Sequence, residues 1–175
     1  KVLAYADDIA VVSSNPVLAI QTVEALAANF GQVSGYKLNT SKTQVLRNKF
    51  CLGHSSWDVR DAVYLGVTLT AHVDCIVSLN FDPLLQRVAS RLRKVNNVHL
   101  TIIGRGNYIK MMILPIFLYL YRSIPLYFPQ KYFARLEAVC SSFIWSYKTP
   151  RRAFRKLALL QEQGGLGAPD FQLYY

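Results

Sequence analysis

The sequence predicts a chain of two parts, an α+β first half followed by an all-helical second half. Up to about residue 80, short apolar runs rich in β-branched residues alternate with turn residues, which is typical of hairpins. From Asp82-Pro83 onward, apolar residues recur at helical spacing instead. Charge divides the same way: residues 1–85 hold six basic and seven acidic residues, and residues 86–175 hold fourteen basic and three acidic. We therefore expect two domains, 1–80 and 81–175.

The first half opens with a predicted hairpin and helix. Two apolar runs, Val2–Tyr5 and Ile9–Ser13, flank Ala6-Asp7-Asp8, and such a pattern is typical of two buried strands joined by a tight acidic turn. Behind Asn15-Pro16, an N-cap and a first-turn proline, apolar residues at helical spacing predict an amphipathic helix over 16–31.

Later elements follow from the same signals. Ser34-Gly35 ends the first helix, and further short strands are expected at Thr43–Leu46 and Ala62–Leu69. A helix from Asp82-Pro83 is predicted by an apolar stripe with basic residues mostly on its other faces. Two more helices follow, one over Ile109–Tyr121 that is bent or interrupted at Pro115, and one after Pro129; the glycine-rich segment 163–169 is expected to be loop.

Composition limits the classes of protein that the chain can belong to. Apolar residues make up 52% of the chain and charged residues 17%, which excludes a disordered tail. A net charge of +10 predicts a polyanionic partner. No targeting signal is visible, the apolar run from Met111 to Tyr121 is too short to cross a bilayer, and three widely spaced cysteines fit a reducing compartment. We therefore expect an intracellular protein with no membrane partner.

Asp7 and Asp8 are the sharpest chemical signal in the sequence. Adjacent carboxylates on a hairpin tip form a strongly negative point with the hard oxygen ligands that Mg²⁺ prefers. Two-metal phosphoryl transfer uses such carboxylates to hold the attacking and leaving oxygens. Spacing alone also fits a plain solvated turn.

Three other patterns allow alternative interpretations. Cys51, His54, His72 and Cys75 have the residue types of a tetrahedral zinc site, or are surface histidines and partly buried cysteines. An aromatic group over 117–133 is either helical core, a base-stacking surface or a membrane-surface helix. Gly164-Gly165-Leu166-Gly167 is either a turn or a phosphate-binding loop. The turn is favoured, because no strand precedes the segment as a phosphate-binding loop requires.

Several motifs in one order resemble a known family. Tyr5-Ala6-Asp7-Asp8 between apolar runs is similar to the catalytic hairpin of reverse transcriptases, and Phe30-Gly-Gln-Val-Ser-Gly-Tyr-Lys-Leu-Asn39, Ser41-Lys42-Thr43 and Tyr64-Leu65-Gly66-Val67 follow it. The second half continues with Leu100-Thr-Ile-Ile-Gly-Arg105, Lys110-Met-Met-Ile-Leu-Pro115, Phe143-Ile-Trp145 and a stretch beginning Glu162-Gln-Gly-Gly-Leu-Gly. Over nearly its whole length the chain resembles the C-terminal palm and thumb of LINE-type non-LTR retrotransposon reverse transcriptases.

The resemblance implies a role for each matching residue of the first half. Asp7 would be a metal-ligating catalytic carboxylate, and Asp8 its more replaceable neighbour. Tyr5 and Ala6 would lie beside the primer terminus, and Tyr64, Leu65 and Gly66 would form the primer grip. Lys42 matches the lysine proposed as general acid for the pyrophosphate leaving group, with Lys37 as second choice.

For the second half, the resemblance implies a helical thumb that holds a template–primer duplex. Its basic residues suit contacts to phosphates, which position a duplex without reading its sequence. The candidates for nucleic-acid binding are Arg87, Arg91, Arg93, Lys94, Arg105, Lys110, Arg151, Arg152, Arg155 and Lys156.

The expected whole is a partial right-hand polymerase fold, a fragment of an RNA-directed DNA polymerase from a transposable element. Its partners would be an RNA template, a DNA primer, a dNTP and the rest of the polymerase chain, its cofactor Mg²⁺, and its location the cytoplasm and nucleus. The family's upstream palm Asp lies well before the first motif, so we expect the fragment to be inactive alone. The alternative is a non-catalytic remnant that binds nucleic acid.

Overall fold

The computed structural model describes residues 1–47 and 58–175, and the chain is a mixed α+β protein. It divides into a first unit, Lys1–Ile76, and a second unit, Val77–Tyr175. The strands are β1 (Val2–Tyr5), β2 (Asp8–Val11), β3 (Val45–Leu46), β4 (Asp58–Val59), β5 (Asp61–Tyr64) and β6 (Val67–Thr70). The helices are α1 (Pro16–Ser34), α2 (Val73–Val95), α3 (Ile102–Tyr108), α4 (Leu114–Ser123), α5 (Gln130–Ile144) and α6 (Phe154–Leu157).

The predicted first hairpin is present, with a tighter turn than the sequence suggested. β1 and β2 are antiparallel, and Tyr5 pairs with Asp8. Only Ala6 and Asp7 therefore lie in the turn, and Asp8 is already a strand residue. The strands are not the buried strands that the apolar runs predicted, since Val2, Tyr5 and Ile9 are each more than half exposed.

α1 begins at the predicted residue and continues to the Ser34-Gly35 break that the sequence indicated. The Asn15 side chain accepts a hydrogen bond from the Leu18 amide at 3.2 Å, which caps the first turn. Gly35 ends the helix in the left-handed conformation, with φ of +73°, so the helix runs three residues beyond the expected 16–31. No side chain described along α1 is fully buried.

The other strands of the first unit are short. β3 pairs with β4 in parallel, and it covers only the last two residues of the predicted strand Thr43–Leu46. β5 and β6 form an antiparallel hairpin in which Tyr64 pairs with Val67, so the strand predicted over Ala62–Leu69 is wrong: a turn divides it into two. Leu65 and Gly66, the two turn residues, both have positive φ, as a type I′ turn requires.

α2 differs from its prediction at its start. The sequence placed the helix after Asp82-Pro83, because proline disfavours helical geometry in the preceding residue and lacks an amide hydrogen. The helix instead begins at Val73 and contains Pro83 in its interior. A single buried apolar stripe continues across the proline, and packing of that stripe outweighs the lost hydrogen bond. Its members are Val77, Phe81, Leu85, Val88 and Leu92.

The predicted helix over Ile109–Tyr121 belongs to a longer helical run. α3 passes into a π-helical segment, Ile109–Ile113, which passes into α4. The Leu114 amide donates to the Ile109 carbonyl, five residues earlier. The wider turn lies directly before Pro115, whose ring clashes with the preceding turn of a regular α-helix. The expected interruption at Pro115 is therefore confirmed, and its form is a π-segment.

The core of the second unit is aromatic. α2, α4 and α5 contribute rings that pack edge-to-face, for example Phe81 against Tyr132 with centroids 4.8 Å apart. The C-terminal segment adds Phe171 and Tyr175, whose rings pack against Phe117 and Phe128 respectively. Within the described residues, the helices offer no stretch long and apolar enough to cross a membrane.

Candidate functional site

The acidic turn projects two carboxylates from the first hairpin. Ala6 has a φ of +48°, a left-handed conformation that non-glycine residues rarely adopt, at the first central turn position. Asp7 is the second turn residue, and Asp8 begins β2. Leu65 has the same φ at the same position of the β5–β6 hairpin, and two-residue hairpin turns require this conformation.

Both carboxylates face solvent. Asp7 and Asp8 are exposed, and no hydrogen bond or ion pair engages either side chain within residues 1–47 and 58–175. In particular, neither carboxylate is joined to Lys42 or Tyr64 in that part of the chain. Two adjacent negative charges without a protein partner attract cations, and carboxylate oxygens suit Mg²⁺.

At this hairpin, Asp7 and Asp8 offer two adjacent carboxylates as metal ligands. Among the residues that the structure describes, no group of three or more His, Cys, Asp or Glu side chains is arranged to hold a metal ion. Two carboxylates can supply only part of a Mg²⁺ coordination sphere, whose remaining positions are commonly filled by water and substrate phosphates.

Lys42 lies at the end of a turn organised by Asn39. The Asn39 side-chain oxygen accepts from the Ser41 hydroxyl at 2.7 Å and from the Lys42 amide at 3.2 Å. Its carbonyl accepts from the amide and the hydroxyl of Thr43. The turn fixes the backbone at Lys42 and leaves the side chain exposed. Lys37, the second candidate, is also exposed.

Gly31 and Gly35 determine how the chain leaves α1 toward Lys42. The Gly35 amide donates to the Gly31 carbonyl at 2.9 Å. A Cβ at Gly31 would overlap the Tyr36 carbonyl oxygen, so the loop can approach the helix this closely only at glycine.

The hairpin of Tyr64, Leu65 and Gly66 is positioned beside the strand that follows Lys42. β3 lies against β5, which brings these two predicted site segments to neighbouring strands of the first unit. Val67 and Thr70 of β6 are buried, whereas Gly66 at the turn is exposed. The hairpin is thus anchored through one strand and open at its tip.

Most of the predicted nucleic-acid-binding cations are exposed on the second unit. On α2, the residues around the buried stripe point outward, and the Arg91 Nε donates to the Tyr108 hydroxyl at 3.2 Å. Lys110 is exposed on the π-helical segment. The exposed members of the set are Arg87, Arg91, Arg93, Lys94, Lys110, Arg151, Arg152, Arg155 and Lys156.

Arg105 is the exception, and its assignment to phosphate binding is corrected. The side chain is 5% exposed, and its guanidinium donates to Asn96 Oδ1 at 2.7 Å and to the Phe143 carbonyl at 3.0 Å. It also lies 5.0 Å from the centroid of the Phe143 ring, within cation–π distance. Arg105 therefore joins α3 to the end of α5, and a phosphate cannot reach it.

Glu137 and Asp170 place acidic groups beside Arg155 on the second unit. Burial raises the pKa of Glu137 above its usual range, the Asp170 carboxylate raises it further, and Arg155 opposes both effects. Elsewhere in the second unit, burial raises the pKa of the Cys140 thiol, so this cysteine stays protonated.

The aromatic group is mainly core. Phe117, Tyr121, Phe128, Tyr132 and Phe133 are buried, which confirms the helical-core interpretation for them. Two members of the group differ, since Tyr119 is 51% exposed and Tyr127 75% exposed.

The glycine-rich loop is a turn rather than a phosphate loop. The amides of Gly164, Gly165, Leu166 and Gly167 all donate to backbone carbonyls between Leu157 and Gln161. A phosphate-binding loop needs such amides to be free for the ligand.

The zinc hypothesis concerns two residues outside the described part of the chain and two within it. Cys51 and His54 lie outside the described residues. His72 and Cys75 are exposed at the start of α2, where the Cys75 amide donates to the His72 carbonyl at 3.0 Å. The hypothesis stays a prediction.

Two features of these surfaces were missed at the sequence level. Asn39 organises the turn before Lys42. Asparagine is a recognisable signal of such a turn, because its side chain accepts hydrogen bonds from backbone amides a few residues later. Leu159 and Gln163 line a surface pocket beside Arg152 and Lys156. Only the folding of the glycine-rich loop against α6 brings these residues together, and no local pattern predicts it.

A scan of the sequence against models of known protein families matches none of them.

Proposed function

We propose that this chain is the C-terminal palm and thumb of an RNA-directed DNA polymerase of the non-LTR retrotransposon type. One observation carries the proposal: within the described residues, Asp7 at the hairpin turn and Asp8 at the start of β2 are exposed, and neither side chain has a protein partner. The order of motifs that follows this hairpin supports the same conclusion.

The reaction proposed is attack of a primer 3′-hydroxyl on the α-phosphate of a dNTP, with release of pyrophosphate. Bound Mg²⁺ would lower the pKa of the attacking hydroxyl and neutralise charge on the phosphates. Asp7 would hold the metal, and Asp8 would add a weaker ligand. Lys42, exposed at the end of the Asn39 turn, would donate a proton to the leaving pyrophosphate.

Positioning of the primer would fall to the two hairpins. Tyr5 and Ala6 border the acidic turn, and the tip of the β5–β6 hairpin would hold the growing strand. A primer terminus misplaced by about 1 Å loses much of its reactivity, so rigid turns suit this role. The exposed cations of the second unit would hold the RNA–DNA hybrid through its phosphates.

The proposal requires additional carboxylate from elsewhere in the polymerase. A two-metal centre uses more ligands than Asp7 and Asp8 provide, and the resemblance implies that a palm segment N-terminal to the hairpin supplies them. The activity is therefore a property of the polypeptide that contains that segment together with this chain.

Primer extension tests the proposal. The polypeptide joining the upstream palm to this chain is incubated with an RNA template, a DNA primer, dNTPs and Mg²⁺. Asp7→Asn should reduce the rate of extension about 10³-fold, since it removes a metal-ligating charge. Glu24→Gln, which removes an exposed carboxylate on α1, is the matched control and should leave the rate unchanged. An Asp7→Asn enzyme within threefold of the wild-type rate contradicts the proposal.

A second candidate function is binding of nucleic acid without catalysis. The concentration of exposed cations on the second unit favours it, because this surface needs no metal and no carboxylate. The two candidates make the same prediction for salt-sensitive binding to RNA–DNA hybrid. They differ in primer extension, which only the first predicts.

A further inference from the structure

The second unit carries a surface pocket of about 330 Å³ beside its densest cluster of cations. The pocket opens between α6 and the glycine-rich loop. It is lined by Arg152, Ala153, Lys156, Leu159, Gln163 and Gly164.

The lining combines the groups that recognise one nucleotide. Arg152 and Lys156 provide two positive charges, which suit a phosphate. Leu159 provides an apolar wall, and the Gln163 side-chain amide can both donate and accept hydrogen bonds, as recognition of a base edge or a sugar hydroxyl requires. The volume lies at the lower end of the range for small-molecule sites.

The floor of the pocket is fixed by backbone contacts before any ligand binds. The Gly164 amide donates to Gln161, the Gly165 amide to Leu160 and the Gly167 amide to Leu159, each at 2.9 or 3.0 Å. A Cβ at Gly165 would overlap the backbone of Leu159, so the loop packs against this residue only because position 165 is glycine. Such a floor binds a ligand with little loss of chain entropy.

We propose that this pocket binds a single nucleoside monophosphate unit, either free or within a single strand of nucleic acid. The inference rests on the proposed function, because it gives the basic surface a second task beside holding the duplex. It assigns the phosphate to Arg152 and Lys156, and the base or sugar to Leu159 and Gln163.

The arrangement of cations separates this proposal from general electrostatic attraction. Arg151 and Arg152 are adjacent and both exposed, but only Arg152 lines the pocket. A diffuse basic surface would treat the two arginines alike, whereas a pocket would depend on Arg152 far more than on Arg151.

Charge-matched variants of the full 175-residue chain test the inference. Binding of a fluorescent single-stranded RNA decamer is measured for Arg152→Gln/Lys156→Gln and for Lys148→Gln/Arg151→Gln, which lose the same charge. The pocket variant should bind the decamer at least about tenfold more weakly, and the control no more than about threefold. Gln163→Ala, which changes no charge, should weaken binding about threefold or more.

AMP and an RNA–DNA hybrid complete the experiment. Displacement of the decamer by AMP from the wild-type chain and the control identifies a free mononucleotide as a ligand, whereas failure of AMP to compete identifies a strand-borne nucleotide. Equal loss of decamer binding in the two double variants, or an unaffected Gln163→Ala, overturns the inference. Hybrid binding reports on the proposed function independently. If the wild-type chain binds neither hybrid nor decamer, both proposals fail. If it binds the hybrid but the two double variants lose decamer binding equally, only the pocket proposal fails. Unchanged circular dichroism and thermal unfolding of each variant exclude misfolding as the cause of lost binding.

Discussion

The two units differ in how they bury apolar side chains. In the described part of the first unit, Val67 is the only apolar side chain that is fully buried, and Leu26, Phe30 and Val33 of α1 are 61% to 92% exposed. In the second unit, Phe81, Phe117, Leu136 and Phe143 are completely buried. The second unit therefore has a hydrophobic core of its own, whereas most large apolar side chains of α1 in the first unit are exposed.

This difference indicates how each unit is stabilised. A buried aromatic cluster supports cooperative folding of the second unit. An exposed apolar helix face and an exposed hairpin are typical of surfaces that other polypeptide covers. The first unit, which carries the acidic turn, therefore has less buried apolar surface to stabilise it than the second unit has.

The largest effect is expected from a matched pair of phenylalanines. Phe117→Ala should reduce the free energy of unfolding of the second unit by roughly 3–5 kcal/mol, since the ring is completely buried and leaves a cavity. Phe30→Ala should change stability by less than about 0.5 kcal/mol, because the ring is 61% exposed. Urea unfolding followed by near-ultraviolet circular dichroism measures both. Similar losses for the two variants would show that the contrast between the units is wrong.

The next largest effect distinguishes a structural arginine from a binding arginine. Arg105→Ala should destabilise the second unit by roughly 2–4 kcal/mol, since it leaves the Asn96 side chain and the Phe143 carbonyl without their donor. Arg87→Ala should leave the free energy of unfolding unchanged and weaken binding to an RNA–DNA hybrid. Thermal unfolding and fluorescence anisotropy, carried out below the melting temperature of the weaker variant, separate the two effects. An Arg105→Ala protein of wild-type stability would contradict the assignment.

Helix caps sharpen the comparison at a smaller scale. The Thr101 hydroxyl accepts from the Gly104 amide at 3.1 Å, so Thr101→Ala should cost about 1 kcal/mol in the unfolding of the second unit. Asn15→Ala removes the equivalent bond of α1 and should reduce helicity in far-ultraviolet circular dichroism without moving the main transition. A shift of that transition by Asn15→Ala would mean that the units unfold together.

The smallest effect concerns pH. Because burial and the Asp170 carboxylate raise the pKa of Glu137, the folded state binds this proton more tightly than the unfolded state. The contribution of Glu137 to stability therefore falls as pH rises from its unfolded pKa through its raised folded pKa. Glu137→Gln should lack this dependence and melt about 1–2 °C above the wild type at pH 7, with no gain at pH 4. A Gln variant that melts lower at pH 7 would contradict the sign.

Local signals in the sequence predicted much of the fold. Asn15 and Gly35 terminate α1 through side-chain and backbone hydrogen bonds that need no distant partner. The turn at Leu65-Gly66 was missed by the same local signals, which predicted a strand over Ala62–Leu69. Pro83 was misjudged because an apolar stripe that continues across it outweighs a local preference. Long-range packing of this kind is absent from any short window of sequence.

The candidate site shows the same limit. The acidic pair was singled out from its residue types and Lys42 from the family resemblance, and all three side chains are exposed. The burial of Arg105 could not be read from its neighbours, since it depends on Phe143, 38 residues later in the chain. The pocket beside Arg152 depends similarly on a loop whose fold is set by its contacts with Leu157–Leu160.

The most direct test of the central claim asks whether Asp7 binds the catalytic metal. Single-nucleotide extension is measured for Asp7→Cys, in the polypeptide that includes the upstream palm, with Mg²⁺ and then with Mn²⁺. A thiolate is a poor ligand for Mg²⁺ and a better one for softer metals. The assignment of Asp7 as a metal ligand predicts that Asp7→Cys extends the primer about 10³-fold more slowly than wild type in Mg²⁺. In Mn²⁺, the deficit relative to wild type should be smaller by about tenfold or more. Near-wild-type activity in Mg²⁺, or a loss that Mn²⁺ does not reduce, would contradict it.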